Sequence, residues 1–213
     1  MPLLLLIRHG QNDYVKKGRM AGRQPGVHLN ERGQTEAAEL AQALAEAPIK
    51  AVYSSPLERA VETAEPIAQA KGLEVQLRPG LLEADIGKWQ NKSIKSLRRQ
   101  KVWQIVQSAP SRMRFPEGES FLETQMRLVE EIEAICTNHK PDDLIALVFH
   151  SDPIKLVVTY YLGLPLDNFQ RLAVDTGSVT ILHLGRTNAH LIKLNQKPPF
   201  QLPFSRKKGR KTK

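Results

Sequence analysis

With 213 residues, 41% hydrophobic and 25% charged, the chain has the composition of an ordinary soluble globular protein and room for one large domain or two small ones. A single cysteine, Cys136, excludes an intramolecular disulfide, and no apolar stretch approaches membrane-spanning length. The net charge of +9 does not describe the whole chain: six of the 31 Lys and Arg lie in residues 205–213, and the remaining 25 against 22 acids leave a body charge of only +3.

Leu3-Leu4-Leu5-Leu6-Ile7 is a short apolar run that stops at Arg8-His9-Gly10. It predicts a buried strand with Arg8 and His9 at its carboxyl end, the edge where open α/β sheets bind ligands. Residues 11–29 contain Gly18, Gly22, Pro25 and Gly26 with Arg19 and Arg23, and read as a long irregular loop of the kind that carries function. Asn30 caps a helix to about Glu46, with Ala37, Leu40, Ala41 and Leu44 on one face and Pro48 ending it. A short strand at Ala51-Val52-Tyr53 leads into Ser54-Ser55-Pro56-Leu57-Glu58-Arg59. There Ser55 and Glu58 have capping-box spacing and Pro56 suits the first helical position. Arg59 then falls in the first turn of a helix that starts just past a strand end.

Residues 73–77 predict a further strand, residues 81–89 are irregular, and residues 93–107 read as one helix, basic on its exposed side through Lys95, Arg98, Arg99 and Lys101. A loop over 108–120 carries Arg112 and Arg114. A long helix over 121–139 follows, with Met126, Val129, Ile132, Ile135 and Cys136 on its inner face, which makes Cys136 a core residue rather than a nucleophile. The apolar run Leu144-Ile145-Ala146-Leu147-Val148-Phe149 ends on His150, after which Asp152 suits an N-cap and Pro153 the first helical position. Residues 178–184 and 190–194 read as closing strands, antiparallel at the sheet edge. The alternation of strand and helix gives an α/β class: a three-layer α/β/α sandwich with a mostly parallel central sheet and helices on both faces. No linker or repeat divides the chain, so residues 1–204 are expected to form one domain and residues 205–213 a basic, disordered tail.

Two predicted strands therefore each deliver a histidine to a carboxyl end, and the second runs directly into a helix N-terminus, whose free N–H groups and positive dipole end suit an anion. The chemistry this suggests is a phosphate held between two histidines and an arginine. His28, His139, His183 and His190 read as structural or exposed, and Trp89 and Trp103 as core. His150-Ser151-Asp152 has no zinc-type cluster around it, so no metal is expected, and Asp152 is better used as a cap. The lone cysteine and the lack of a signal-type segment lead to an expected cytoplasmic location.

Arg8-His9-Gly10, Arg59 within Ser54-Ser55-Pro56-Leu57-Glu58-Arg59-Ala60, Glu83 in a Glu-x-x-x-Gly-x-Trp segment ending at Trp89, and His150 after a strand together resemble the histidine phosphatase superfamily, from about residue 3 to 195. That group includes the cofactor-dependent phosphoglycerate mutases. The resemblance implies metal-independent hydrolysis of a phosphomonoester through a phosphohistidine intermediate. By resemblance His9 is the nucleophile, acting as a neutral imidazole. Arg8, Arg59 and His150 clamp the phosphoryl oxygens, arginine being matched to phosphate geometry. Glu83 is the general acid and then the base, with its pKa raised by burial and a nearby anion, and Asp85 is its rival. Asn12 and Ser151 complete the expected phosphate contacts.

Departures from the family pattern shape the expectation. The family's phosphate-contacting Asn would fall near Val15, and Asn12 or Arg19 is the candidate to replace it. Trp89-Gln90-Asn91 stands where the family has Trp-Glu-Gly, and the mutases' longer segment after the acid is missing, which favours hydrolysis over intramolecular transfer. The alternatives are a phosphoglycerate-type phosphomutase, and a weakly catalytic protein that binds phosphate ligands or nucleic acid through its basic tail. The expected partner is a small phosphorylated substrate, with no cofactor, no membrane, and nucleic acid reached only by the tail; a homodimer is left open. Arg19, Arg23, Arg112 and Arg114 are candidates to read a second anionic group. Sugar phosphates, phosphoserine, nucleotides and ribazole-type phosphates all stay open as substrates.

Overall fold

The computed structural model describes residues 2–185 and 187–200, so the basic tail at 205–213 lies outside the described residues. The first strand, β1 (Leu3–Arg8), alternates its contacts: Leu4 and Leu6 enter one core, Leu5 and Ile7 the other. Burial on both faces explains why its sequence is continuously apolar rather than alternating. A short helix α1 (Asp13–Lys16) follows, then α2 (Glu31–Leu44), β2 (Ile49–Ser54), α3 (Glu58–Gln69) and β3 (Val75–Leu77). Two small helices, α4 (Ile94–Leu97) and α5 (Lys101–Ser108), precede the long α6 (Phe121–Cys136). The chain then forms β4 (Leu144–Phe149), α7 (Ser151–Tyr161), β5 (Val179–Leu184) and β6 (Ala189–Gln196).

The strands form one six-stranded sheet in the order β3-β2-β4-β1-β5-β6. β3, β2, β4 and β1 run parallel, while β5 pairs antiparallel with β1 and β6 with β5. Leu40, Leu44, Ala60, Ala64 and Ile67 of α2 and α3 pack on one face, and Leu128, Ile132, Ile154 and Val157 of α6 and α7 on the other. This is the expected α/β/α sandwich, and it gathers the carboxyl ends of β1, β2 and β4 along one edge.

Gly10 lies where α2 meets the turn after β1. A side chain there would place its first carbon 2.5 Å from the Gly33 carbonyl oxygen, so only glycine lets the helix close onto the strand end. Glu36 of α2 secures the same turn, accepting from the Gln11 amide at 2.9 Å and from Thr176 Oγ1 at 3.1 Å.

Several local expectations are corrected. α3 starts at Glu58 behind Leu57, with no side-chain cap; Ser55 is not its N-cap, because its hydroxyl sits 2.9 Å from His150 Nε2 and Glu58 accepts from the Gly26 amide instead. α7 starts at Ser151 with His150 in the capping position, and Asp152 lies inside the first turn, paired with Lys155 at 3.1 Å. Residues 93–107 are two helices, not one. A continuous helix would set Lys101, Gln104 and Ser108 in line with the buried Leu97, and the break at 98–100 re-phases the chain so that Val102, Trp103 and Val106 pack inward. The Met126 side of α6 is outward: Met126 is 39% exposed, and its neighbour Gln125 turns in to donate to the Leu156 carbonyl at 2.9 Å. α6 also ends at Cys136, three residues before the expected His139. The loop over 11–29 contains α1, which Asn12 caps by accepting from the Val15 amide. Cys136 and Trp89 are buried, as expected, and among the described residues no helix is long and apolar enough to cross a membrane.

Candidate active site

The end of β1 is stitched to its neighbours. The His9 amide donates to Phe149 of β4 at 3.0 Å, the Arg8 amide to the Ser178 carbonyl at 3.1 Å, and the Gly177 amide reaches back to the carbonyls of Arg8 and His9. Thr63 of α3 accepts from the Gly10 amide at 3.0 Å and donates to the Arg59 carbonyl at 2.7 Å. The His9 side chain is thereby set on a rigid support. Its Nδ1 lies 2.7 Å from the Gly10 carbonyl oxygen. A carbonyl can only accept, so Nδ1 carries the proton and Nε2 keeps its lone pair. Burial, then the charges of Arg59 and Arg8, push the His9 pKa well below its ordinary value, so the ring is neutral near pH 7. His150 packs against it edge-on, with ring centroids 5.3 Å apart, and burial followed by Arg59, His9 and Arg8 lowers its pKa too.

Arg8 and Arg59 are each held by one arm. Arg8 Nη1 donates to the Val174 carbonyl and Arg59 Nη2 to the Gly22 carbonyl, both at 2.7 Å. Arg59 is 1% exposed, yet neither guanidinium forms an ion pair among the described residues. Around His9, four buried side-chain nitrogens lack a partner among those residues: Arg8 Nε, Arg59 Nη1, His150 Nδ1 and Asn12 Nδ2. Unsatisfied buried donors are rare and costly. Four of them around a neutral histidine match an anion with several acceptor oxygens.

Glu83 brings the opposite character. Burial raises its pKa to about 7, with Asp152 adding to the rise while Arg59, the Ala84 amide and Arg8 oppose it. Such a carboxyl is available in both protonation states near neutrality. The rival Asp85 does not line the cavity; its carboxylate accepts from the Gly87 amide and lies 3.9 Å from Arg23. The segment carrying Glu83 is gripped from behind. Arg23 Nε donates to the Glu83 carbonyl at 2.8 Å, Arg127 Nη1 to those of Gly80 and Leu82, and both guanidiniums pair with Glu119 at 2.8 and 3.0 Å. Burial works against ionisation of Glu119, but the Arg127 pair and the Asp85 amide hold its carboxyl at about 2.

A cavity of about 250 Å³ opens at this edge of the sheet, and Arg8, His9, Asn12, Arg59, Glu83 and Ser151 all line it. His150 is not on its surface but lies directly behind, against the His9 ring. Ser151 lies 3.2 Å from the Val174 carbonyl, to which its hydroxyl donates. Arg19 lines the cavity with Nη2 engaged by Asn91 at 2.6 and 2.7 Å. Arg23 supports the Glu83 segment, Arg114 pairs with Glu123, and neither these two nor Arg112 reaches the cavity. Sequence reasoning missed Ser55, Thr63, Arg127 and Glu119. The turn residues Pro116 and Gly118 just before it were the one available signal for Glu119. No group of three or more His, Cys, Asp or Glu is arranged to hold a metal among the described residues.

A parallel sheet edge that offers a neutral imidazole, two unpaired guanidiniums and a titrating carboxyl is the framework of a phosphate-handling α/β enzyme. The chain belongs to the histidine phosphatase superfamily (branch 1), whose model matches residues 4–197. It is 29% identical over 197 residues to phosphoserine phosphatase 1 of Hydrogenobacter thermophilus, covering 92% of each chain. It is 32% identical over 178 residues to a protein of Cronobacter sakazakii named probable phosphoglycerate mutase GpmB, covering 82% of this chain and 81% of that one. Among solved structures it superposes on YhfR of Bacillus stearothermophilus with a TM-score of 0.83 and 26% identity, covering 90% of this chain and 96% of that one. The protein is a phosphatase of this superfamily.

Proposed function

We propose that the phosphatase hydrolyses small phosphomonoesters through a phosphohistidine on His9. The observation that carries this is the His9 Nδ1 bond to the Gly10 carbonyl, which leaves the Nε2 lone pair beside the unsatisfied donors of Arg8, Arg59, Asn12 and His150. Nε2 attacks phosphorus and the bond to the ester oxygen breaks. The departing alkoxide takes the proton of Glu83. In the second half, the Glu83 carboxylate removes a proton from water as that water attacks phosphorus, the P–N bond breaks, and inorganic phosphate leaves with His9 neutral again. Arg8, Arg59 and His150 stabilise the equatorial oxygens in both halves. Preorganised donors of this kind are each worth about 10²–10³ in rate. Ser55, by donating to His150 Nε2, leaves the ring proton on the unpartnered Nδ1.

The test is inorganic phosphate release from a panel of phosphomonoesters in EDTA, with His9→Ala in parallel. Release that disappears in the variant, with an acid-labile phosphoenzyme trapped in the wild type, is the expected result. Phosphate release at an equal rate from His9→Ala would overturn the assignment of the nucleophile. Isomerised phosphoester in place of free phosphate would turn the reading to a mutase.

A further inference from the structure

A second cavity, of about 430 Å³, adjoins the first, and Met20, Ile94, Phe115 and Asp152 belong to the walls of both. Beyond them the second is lined by Trp89, Trp103, Val106 and Phe121. The aromatic rings are locked together. Trp89 stacks on Trp103 with centroids 6.0 Å apart and meets Phe115 edge-on at 5.4 Å, and Phe115 meets Phe121 at 5.1 Å. Trp89, Phe115 and Phe121 are buried, so the half-buried Met20, Ile94 and Trp103 give the cavity its accessible apolar surface. The size falls in the range that takes a whole small molecule.

The charges around this space are as informative as the rings. Asp152, paired with Lys155, stands at the junction between the cavities, close to where a phosphate would be held. Arg19, bonded through Nη2 to Asn91, lines the first cavity and not the second. Arg98, at the exposed end, is the cation that lines the second cavity. A carboxylate two or three bonds from the phosphoester oxygen, as in a phosphoglycerate, would gain nothing from the apolar wall past the junction, where Asp152 and Lys155 already pair with each other. An apolar body would pass the junction and bury itself against Ile94, Met20 and Trp103.

We propose that the second cavity seats the leaving group, and that the preferred substrates are phosphate esters of apolar alcohols carrying an aryl or branched alkyl body. The proposal rests on the hydrolase reading above. Its test compares 3-phenylpropyl phosphate, propyl phosphate and O-phosphoserine. The first two release primary alkoxides of matched basicity, so a difference between them reports binding and not leaving-group reactivity. The expected kcat/KM for the phenylpropyl ester exceeds each of the others by about tenfold or more, the discrimination an apolar pocket gives. Trp103→Ala, and independently Ile94→Asn at the junction of the two cavities, should bring the phenylpropyl-to-propyl ratio close to unity. Competitive inhibition by inorganic phosphate, read in each variant, shows that the phosphate end is still formed; a variant that loses it is replaced by the other. A preference for phosphoserine, or a ratio near unity in the wild type, would overturn the substrate class while leaving the hydrolase intact. A wild-type ratio that both variants preserve would overturn the placement of the subsite. No phosphate release from any of the three esters would sink the hydrolase reading and this inference with it.

Discussion

At the phosphate end of the cavity, Arg8, His9, Ser55 and His150 each stand within a residue of a strand terminus, and Arg59 stands one residue into a helix that follows a strand. The outer wall draws instead on α1, the loop after it, the irregular segment around Glu83 and the small helices α4 and α5. The first region is held by sheet hydrogen bonds and by the core on both faces. The second is held by side-chain pairs, chief among them Glu119 with Arg23 and Arg127. His9 and the two arginines thus sit on the lattice of the sheet, whereas Glu83 and the rest of the wall sit on segments held from outside it.

The most severe way to break this division is at the nucleophile. His9→Ala should cut kcat by about 10⁴-fold or more, with residual turnover from the remaining donors, measured as phosphate release. Glu83→Gln should cost about 10²–10⁴-fold, and it sharpens the comparison through pH. In the proposed mechanism the acid form of Glu83 protonates the alkoxide, so wild-type kcat/KM should fall as pH rises through about 7. The acid limb should lie well below 6.5, where His9 finally gains its proton. The variant should lose the alkaline limb.

The same carboxyl ties chemistry to stability. Its folded-state pKa stands above the ordinary 4.5, so the folded state binds the extra proton and loses stability as pH rises from about 4.5 to about 7. Above pH 7 Glu83→Gln should therefore melt higher than the wild type by differential scanning calorimetry. Arg59→Ala removes one arm of the clamp and should lower kcat by about 10²–10³-fold. Glu119→Gln, acting on the wall and not on the phosphate, should reduce kcat only about tenfold, within the range for weakening a hydrogen-bonded charge pair. It should also leave inhibition by inorganic phosphate nearly unchanged. Equal losses in phosphate binding for Glu119→Gln and Arg59→Ala would erase the distinction between the two regions.

The two regions also differed in how far they could be read from the sequence. Leu3–Arg8 and Leu144–Phe149 were legible because a strand buried on both faces leaves a continuous apolar run, and the polar residue that ends it marks the sheet edge. The Asn30 cap was legible because its bond to the Gly33 amide spans three residues. Ser55 misled for the same reason: capping-box spacing is local, whereas its actual neighbour, His150, lies 95 residues away. The Glu119 node joins residues 96 and 8 positions apart with carbonyls of the Glu83 segment, so no window of sequence contains it. The division of residues 93–107 escaped because α4 is a single turn and the change of phase before α5 is only a few residues long.

The stitching of the His9 backbone to β4 and the loop before β5 has a consequence for how the molecule breathes. Amides at the end of β1 are bonded into the middle of the sheet, so their exchange with deuterium should require opening of the whole domain. Apart from the Ile94 amide, bonded to the Gly18 carbonyl, and the Glu119 amide, bonded to the Asp85 carbonyl, the bonded amides of α4, α5 and the turn at 116–120 find their partners within a few residues and should exchange through local opening. The wall can then loosen many times in the interval between global openings, while His9 keeps its register.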